Sequence, residues 1–160
     1  MTLIRCASVT VFATLLAASA AWAQDKVSEA TDMQALQAAV RADKRGYVTS
    51  TLTLSGDEAA KFWPIYDAYQ GQLEQANRRR TVALVGVVGR TATISDTYAR
   101  GVVKELVAAD DIELKARRTL RDRVMKALPA RKAIRYLQLE SKIRAAQDYD
   151  LATTIPLLKQ

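Results

Sequence analysis

Apolar positions along the chain recur at helical spacing in four places, and nowhere with the two-residue alternation of a half-buried strand. From about Met33 the residues Leu36, Ala39, Val40, Tyr47 and Val48 fall near one side of a helix. Gly46 weakens that helix without ending it, and the β-branched, polar run Thr49 to Thr53 brings it to a stop. A second helix opens at Ser55-Gly56-Asp57-Glu58, where Ser55 and Glu58 form a capping box and the two acids suit the positive end of the helix dipole. Phe62, Tyr66, Tyr69, Leu73 and Ala76 then follow at steps of 4, 3, 4 and 3, a seam that packs against other helices. Pro64 lies inside this helix, where it removes a backbone donor and bends the axis. The pattern continues through Arg78-Arg79-Arg80 to Leu84 and Val85; Gly86 and Gly89 then punctuate it, and Arg90 to Ile94 reads as a connecting loop.

Ser95 caps a third helix, with Val102, Leu106, Ala109, Ala116, Leu120 and Val124 as its apolar and small positions. It runs to about Ala127, some thirty residues or about 45 Å. Leu128-Pro129 ends it, and Pro129 suits the first turn of a last helix because its missing amide would be unpaired there. That helix reaches roughly Gln147, with Ile134, Leu137 and Ile143 inward. Asp148 to Gln160 reads as a short tail in which Ile155-Pro156-Leu157-Leu158 straps over the core. The fold class is therefore all-α: a long antiparallel helical hairpin with shorter flanking helices. Residues 24–160 form one domain, with its core at about 33–147 and a C-terminal tail at 148–160.

The N-terminus has a different pattern. Arg5 is the only charge before Asp25, and the uncharged run Ala7 to Ala23 closes with Ala21-Trp22-Ala23. A basic start, an apolar core and a small-residue exit make a secretory signal peptide over residues 1–23, cut between Ala23 and Gln24. The run is shorter than the ~20 residues a membrane-spanning helix needs. The protein is thus expected in the periplasm. Cleavage removes Cys6, the only cysteine, and the chain has no histidine. No disulfide can form within the mature domain, so packing must hold it.

These absences narrow the chemistry. Without His or Cys in the mature chain, Ser-His and Cys-His nucleophiles and imidazole or thiolate metal sites have no residues to build them. Asp110, Asp111 and Glu113 are the nearest approach to an oxygen-ligand site. Neighbours on a helix point about 100° apart, however, and the loop such sites need is missing. The expectation is no enzyme, no catalytic residue, no metal and no cofactor.

Charge is uneven. The whole chain carries +7, and residues 115 to 144 hold 11 basic residues against only Asp122 and Glu140. Two readings stay open: a solvated helix face, or a surface that steers anionic partners such as clients, anionic lipid or lipopolysaccharide phosphates. Candidate surface residues are Arg78, Arg79, Arg80, Arg117, Arg118, Arg121, Arg131 and Arg135. Nucleic acid is not expected, since Tyr136 is the only aromatic residue in the basic segment. Trp63 falls outside the Phe62 seam, which leaves it to pack against the terminal segments or to contact clients or a second subunit. Glu140, with Tyr136 and Arg144 four residues to either side, becomes a functional site only if buried.

Several residues together carry a resemblance. They are Leu54-Ser55-x-x-Glu58-Ala59-x-x-Phe62-Trp63-Pro64-x-Tyr66-x-x-Tyr69, then Leu128-Pro129, then Arg135-Tyr136-x-Gln138-x-Glu140-x-Lys142-Ile143, and finally Ile155-Pro156-Leu157. Over about residues 40 to 158 the chain resembles a group of small exported proteobacterial helical proteins, which are similar at a distance to the Spy/CpxP periplasmic superfamily. That superfamily is marked by a repeated Leu-Thr-x-x-Gln element. The corresponding positions here read Leu54-Ser55-Gly56-Asp57-Glu58 and Leu128-Pro129-Ala130-Arg131-Lys132, so the leading Leu matches and most of the rest does not. The resemblance implies a cradle-shaped, dimeric helical protein that holds unfolded clients or serves in envelope stress. Its metal-sensing branch depends on ligands this chain lacks. A regulatory module docking on a folded envelope partner is the alternative.

Overall fold

The computed structural model describes residues 32–88 and 94–155. They form four helices: α1 (Met33–Leu52), α2 (Gly56–Val88), α3 (Asp96–Ala127) and α4 (Ala130–Thr154). Helices α2 and α3 make the long antiparallel hairpin; α1 packs on α4, and α4 also meets α3. The signal peptide with its Ala23–Gln24 junction, the polar stretch before Asp32, the hairpin loop from Gly89 to Thr93 and the Pro156–Leu158 strap lie outside the described residues.

Each helix starts where its capping chemistry sits. Asp32 accepts from the amides of Gln34 (2.9 Å) and Ala35 (3.3 Å) to open α1. The capping box at α2 is formed, with the Ser55 amide donating to Glu58 at 2.7 Å and the Glu58 amide returning to the Ser55 hydroxyl at 3.4 Å. Ser95 caps α3 by accepting from the Tyr98 amide. Pro129 is the N-cap residue of α4, one position before the first helical residue, and its carbonyl accepts from the Ala133 amide. Pro64 sits on the exposed side of α2, which continues through it.

Helix α1 breaks at a place the residue pattern did not mark. Asp43 leaves helical geometry (φ −159°, ψ 91°), and its carboxylate accepts from the Gly46 amide at 2.8 Å, restarting the helix. A β-carbon at position 46 would meet that carboxylate at 2.1 Å. Gly46 is therefore not the weak point itself but the space that lets Asp43 cap. The run after it stays helical, with Thr49, Ser50 and Thr51 turning their hydroxyls back to donate to the carbonyls of Arg45 and Tyr47. Thr53, in the left-handed region at φ 45°, ends it.

The core is a single cluster. Phe62, Tyr66, Tyr69 and Leu73 of α2 meet Leu120 and Val124 of α3, Ala133, Tyr136, Leu139 and Ile143 of α4, and Leu36, Val48 and Leu52 of α1. Phe62 and Tyr136 sit edge to face, with centroids 4.8 Å apart. Burying each large side chain here contributes about 1.5–3 kcal/mol. The whole α2 seam read from the sequence is buried.

Helix α4 departs from expectation twice. It runs seven residues past Gln147, because Asp150 is held by Gln37 (2.8 Å) and Arg41 (2.6 Å) of α1. Its inner face is also rotated: Ala133, Tyr136, Leu139, Glu140, Ile143 and Ala146 are buried, while Ile134 is half exposed and Leu137 only flanks the core. The sequence pattern favoured large aliphatics, whereas the packing set two alanines, a tyrosine and a carboxylate beside Leu139 and Ile143. Burial stops well short of the hairpin tip. Beyond Ala76 only Ala83 of α2 is buried, and on α3 nothing before Ala109. The tip is a two-helix arm. Among the described residues no helix is long and apolar enough to cross a membrane.

Candidate binding surfaces and a buried polar cluster

The candidate arginines separate into engaged and unengaged groups. Arg78 pairs with Glu74 one turn before it, and Arg79 reaches Glu105 across the hairpin at 2.9 Å. Arg80 donates to Asp110 (2.9 Å) and to buried Glu113 (3.1 Å). Burial alone would lower the Arg80 pKa, but these two acids outweigh it and hold its charge more firmly than usual. Glu113 also draws Arg117 (3.7 Å) and Arg144 (4.0 Å), contacts longer than hydrogen bonds. Arg80, Arg117 and Arg144 thus surround one carboxylate. Arg118, Arg121, Arg131 and Arg135 are exposed and, among the described residues, enter no ion pair. Of the candidate arginines these four are the ones left available to a partner, on α3 and α4.

Trp63 is half-buried. Its ring lies 5.0 Å from Phe62 and 5.3 Å from Tyr66, both edge to face, and the Arg45 guanidinium covers it at 4.1 Å. Arg45 in turn pairs with Asp67. Of the two roles open to Trp63, packing against a terminal segment describes its surroundings: it ties α2 to α1. Lys132 makes a second tie, donating to the Thr53 carbonyl (3.0 Å) and to Glu58 (2.6 Å), so the α2 capping box is anchored to the start of α4. The Lys132 hydrogen bond, helped by the Ser55 amide, holds the Glu58 carboxyl below its usual range.

Apolar surface is concentrated elsewhere, on the arm. Val82 (75% exposed), Val85 (63%), Val88, Val103 and Val107 (53%) present side chains to solvent near the hairpin tip. A groove of about 650 Å³ runs between the two arm helices, floored by Ala83, Gly101 and Val102, with Val82 and Tyr98 on its sides and Arg79 and Glu105 crossing it. Only α2 and α3 line it. Gly101 leaves it open, since nothing lies within 4 Å of where its β-carbon would be. Spacing placed Val85 on the continuing α2 pattern, yet it is exposed, and spacing did not single out the other four, because in a two-helix arm no third element covers them among the described residues.

Glu140 is buried, at 4% exposure. Its partner is not Arg144, four residues on, but Lys44 of α1 at 3.2 Å; Lys44 also donates to Gln70 of α2 at 3.0 Å. Three helices meet at this triad. Burial raises the Glu140 pKa, while Lys44 opposes the rise. Around it the Tyr66 hydroxyl is pushed up to about 12, first by burial and then by the Glu140 charge, and those of Tyr69 and Tyr136 are pushed higher for the same reasons. Tyr69 and Gln70 lie close enough to steady the Glu140 charge, yet do not reach hydrogen-bond geometry with it. The Tyr69 and Tyr136 hydroxyls, Gln70 Nε2, Glu140 Oε2 and Arg117 Nε are all buried without a hydrogen-bond partner among the described residues. Buried polar groups are nearly always partnered, so this concentration is unusual. Lys44 and Gln70 could not be foreseen, as nothing local links them to Glu140.

Among the described residues no three acids, histidines or cysteines converge as metal ligands do. The chain matches no protein-family model, no curated protein and no solved structure.

Proposed function

We propose that the protein is a non-enzymatic, chaperone-like protein of the periplasm that holds apolar segments of envelope clients on its two-helix arm. The observation that carries this reading is the exposed valine set, Val82, Val85, Val88, Val103 and Val107, on an arm of two helices over which no third helix packs among the described residues, with Val82 also on the wall of the groove between them. Exposed apolar surface gathered in one region is the usual mark of an interaction site. The unengaged arginines of α3 and α4 add long-range attraction for anionic clients without fixing a sequence. The signal-peptide pattern and the Spy/CpxP resemblance point the same way, with envelope stress as the setting and a homodimer as one assembly. The decisive experiment is suppression of aggregation of a chemically denatured test protein by equimolar purified protein. A folded protein that leaves aggregation unchanged overturns the reading, as does turnover of any substrate.

A second reading has its own support. Among the described residues Arg118, Arg121, Arg131 and Arg135 have no acidic partners, which suits anionic lipid or lipopolysaccharide. It predicts vesicle binding that is lost when Arg118, Arg121, Arg131 and Arg135 are reversed to Glu and weakened by salt, with the arm valines irrelevant. Saturable binding to one folded envelope protein, with indifference to denatured chains, would instead support the regulatory module.

A further inference from the structure

Away from the arm, a cavity of about 290 Å³ opens between α3 and α4, reaching down to α2. Its chemistry is divided. Arg117, Arg121 and Arg144 bring three guanidiniums to it, with Ser141 beside them. Among the described residues Arg121 enters no ion pair and Arg117 Nε has no hydrogen-bond partner; Arg117 and Arg144 face Glu113 at 3.7 and 4.0 Å, and Arg144 also pairs with Asp148 at 3.5 Å. Tyr69 and Glu140, each 4% exposed, also line the cavity, and each keeps an unpartnered oxygen. Leu114, Leu120 and Leu137 supply the apolar part of the wall.

We infer that this cavity is a binding site for a compact amino-acid-like zwitterion with an apolar side chain. Its carboxylate is taken by the guanidiniums of Arg117, Arg121 and Arg144. Its ammonium donates to Glu140 Oε2 and the Tyr69 hydroxyl oxygen, and its side chain lies on the leucines. Arg121 with the unpartnered Arg117 Nε on one side, and the unpartnered Glu140 and Tyr69 oxygens on the other, select this class. A simple anion satisfies the arginines, but it brings a second negative charge towards Glu140 and leaves Oε2 bare. A simple cation satisfies Glu140 but faces three guanidiniums. Water can partner Oε2, yet it leaves the apolar wall and the charge of Arg121 without a counterpart. A zwitterion matches both ends, each through the charge-assisted hydrogen bonds that are the stronger kind. The volume is at the small end of ligand sites, which suits a single amino acid. The site is separate from the arm, so the client-holding reading stands or falls independently of it.

The test is calorimetric titration of the purified full chain with L-leucine, 4-methylpentanoate and 3-methylbutylamine, followed in parallel by amide chemical shifts. These probes share a side chain and differ in which charged end they keep. Saturable one-to-one binding of L-leucine is expected, with each single-ended analogue weaker by at least about tenfold, because each leaves one buried polar group unpartnered. Arg121→Ala, at an exposed position, and Tyr69→Phe, which keeps the ring, should each weaken L-leucine binding by about tenfold or more while the melting temperature stays within a few degrees. Absence of heat and of shift changes at millimolar L-leucine overturns the inference. So does equal binding of 4-methylpentanoate, L-leucine binding indifferent to both substitutions, or a crystal soaked in L-leucine whose cavity holds ordered water alone.

Discussion

The body and the arm of this protein are built from the same two long helices, yet they obey different rules. In the body, α2 and α3 lie against α1 and α4, and aromatic side chains from α2 and α4 interlock at Phe62, Tyr66 and Tyr136. In the arm the same helices have only each other. Two helices can bury one narrow stripe between them, so small residues such as Ala83 and Ala109 lie inside and the larger valines face water. Stability is therefore expected to reside in the body and contact surface in the arm. Local opening should follow the same division, with arm amides exchanging hydrogen faster than those of the body.

The comparison breaks most visibly at the core. Phe62→Ala should cost about 3–5 kcal/mol, measured by denaturant unfolding followed by circular dichroism; a cost near that of a surface substitution would mean that the aromatic cluster is not the centre of stability. A smaller loss, about 1 kcal/mol, is expected from Gly46→Ala, since the added methyl group displaces the Asp43 cap. Asp43→Ala should cost a similar amount, and the double variant little more than either.

Glu140 sharpens the picture through pH. Burial raises its pKa in the folded state, so the folded protein holds this proton more tightly than the unfolded chain. Its contribution is then fully present below the unfolded carboxyl value near 4.5 and is lost as pH rises through the folded one. Glu58, whose pKa is lowered, acts in the opposite sense: its contribution is present above the unfolded value and is lost as pH falls through the folded one. Glu140→Gln should thus remove a decline in melting temperature above pH 4.5, and Glu58→Gln should remove a decline on acidification. Opposite slopes in the two variants are the outcome to look for.

The least costly changes to stability lie on the arm. Serine at Val82, Val85 and Val103 together should shift unfolding by roughly 0.5 kcal/mol or less per site, while suppression of client aggregation falls several-fold. A variant that keeps full activity would move the contact surface off the arm. One that unfolds would show that the arm shares the core after all.

How much of this was legible beforehand depends on the range of the forces involved. The helix starts at Ser55 and Ser95, the stop at Leu128-Pro129 and the buried seam from Phe62 to Ala76 are local: caps, a missing amide and a repeat of three and four residues. The break at Asp43 is also local, but a carboxylate that caps three residues ahead looks in sequence like any polar helix residue. For the candidate site the pattern did less. It named Trp63 and the arginines as one surface, whereas Trp63 packs against Arg45, Arg80 is tied to Asp110 and Glu113, and only Arg118, Arg121, Arg131 and Arg135 remain unengaged.

By itself, then, the amino-acid sequence determined the helical class, the long hairpin and most helix ends, because each depends on groups within a turn or two of one another. Tertiary structure alone decided which face of α4 turns inward, that α4 extends to hold Arg41, that Lys44 neutralises Glu140, and where the apolar surface stays open. Those outcomes depend on which helices meet. Residues 96 positions apart, such as Lys44 and Glu140, become neighbours only when the chain has closed around them.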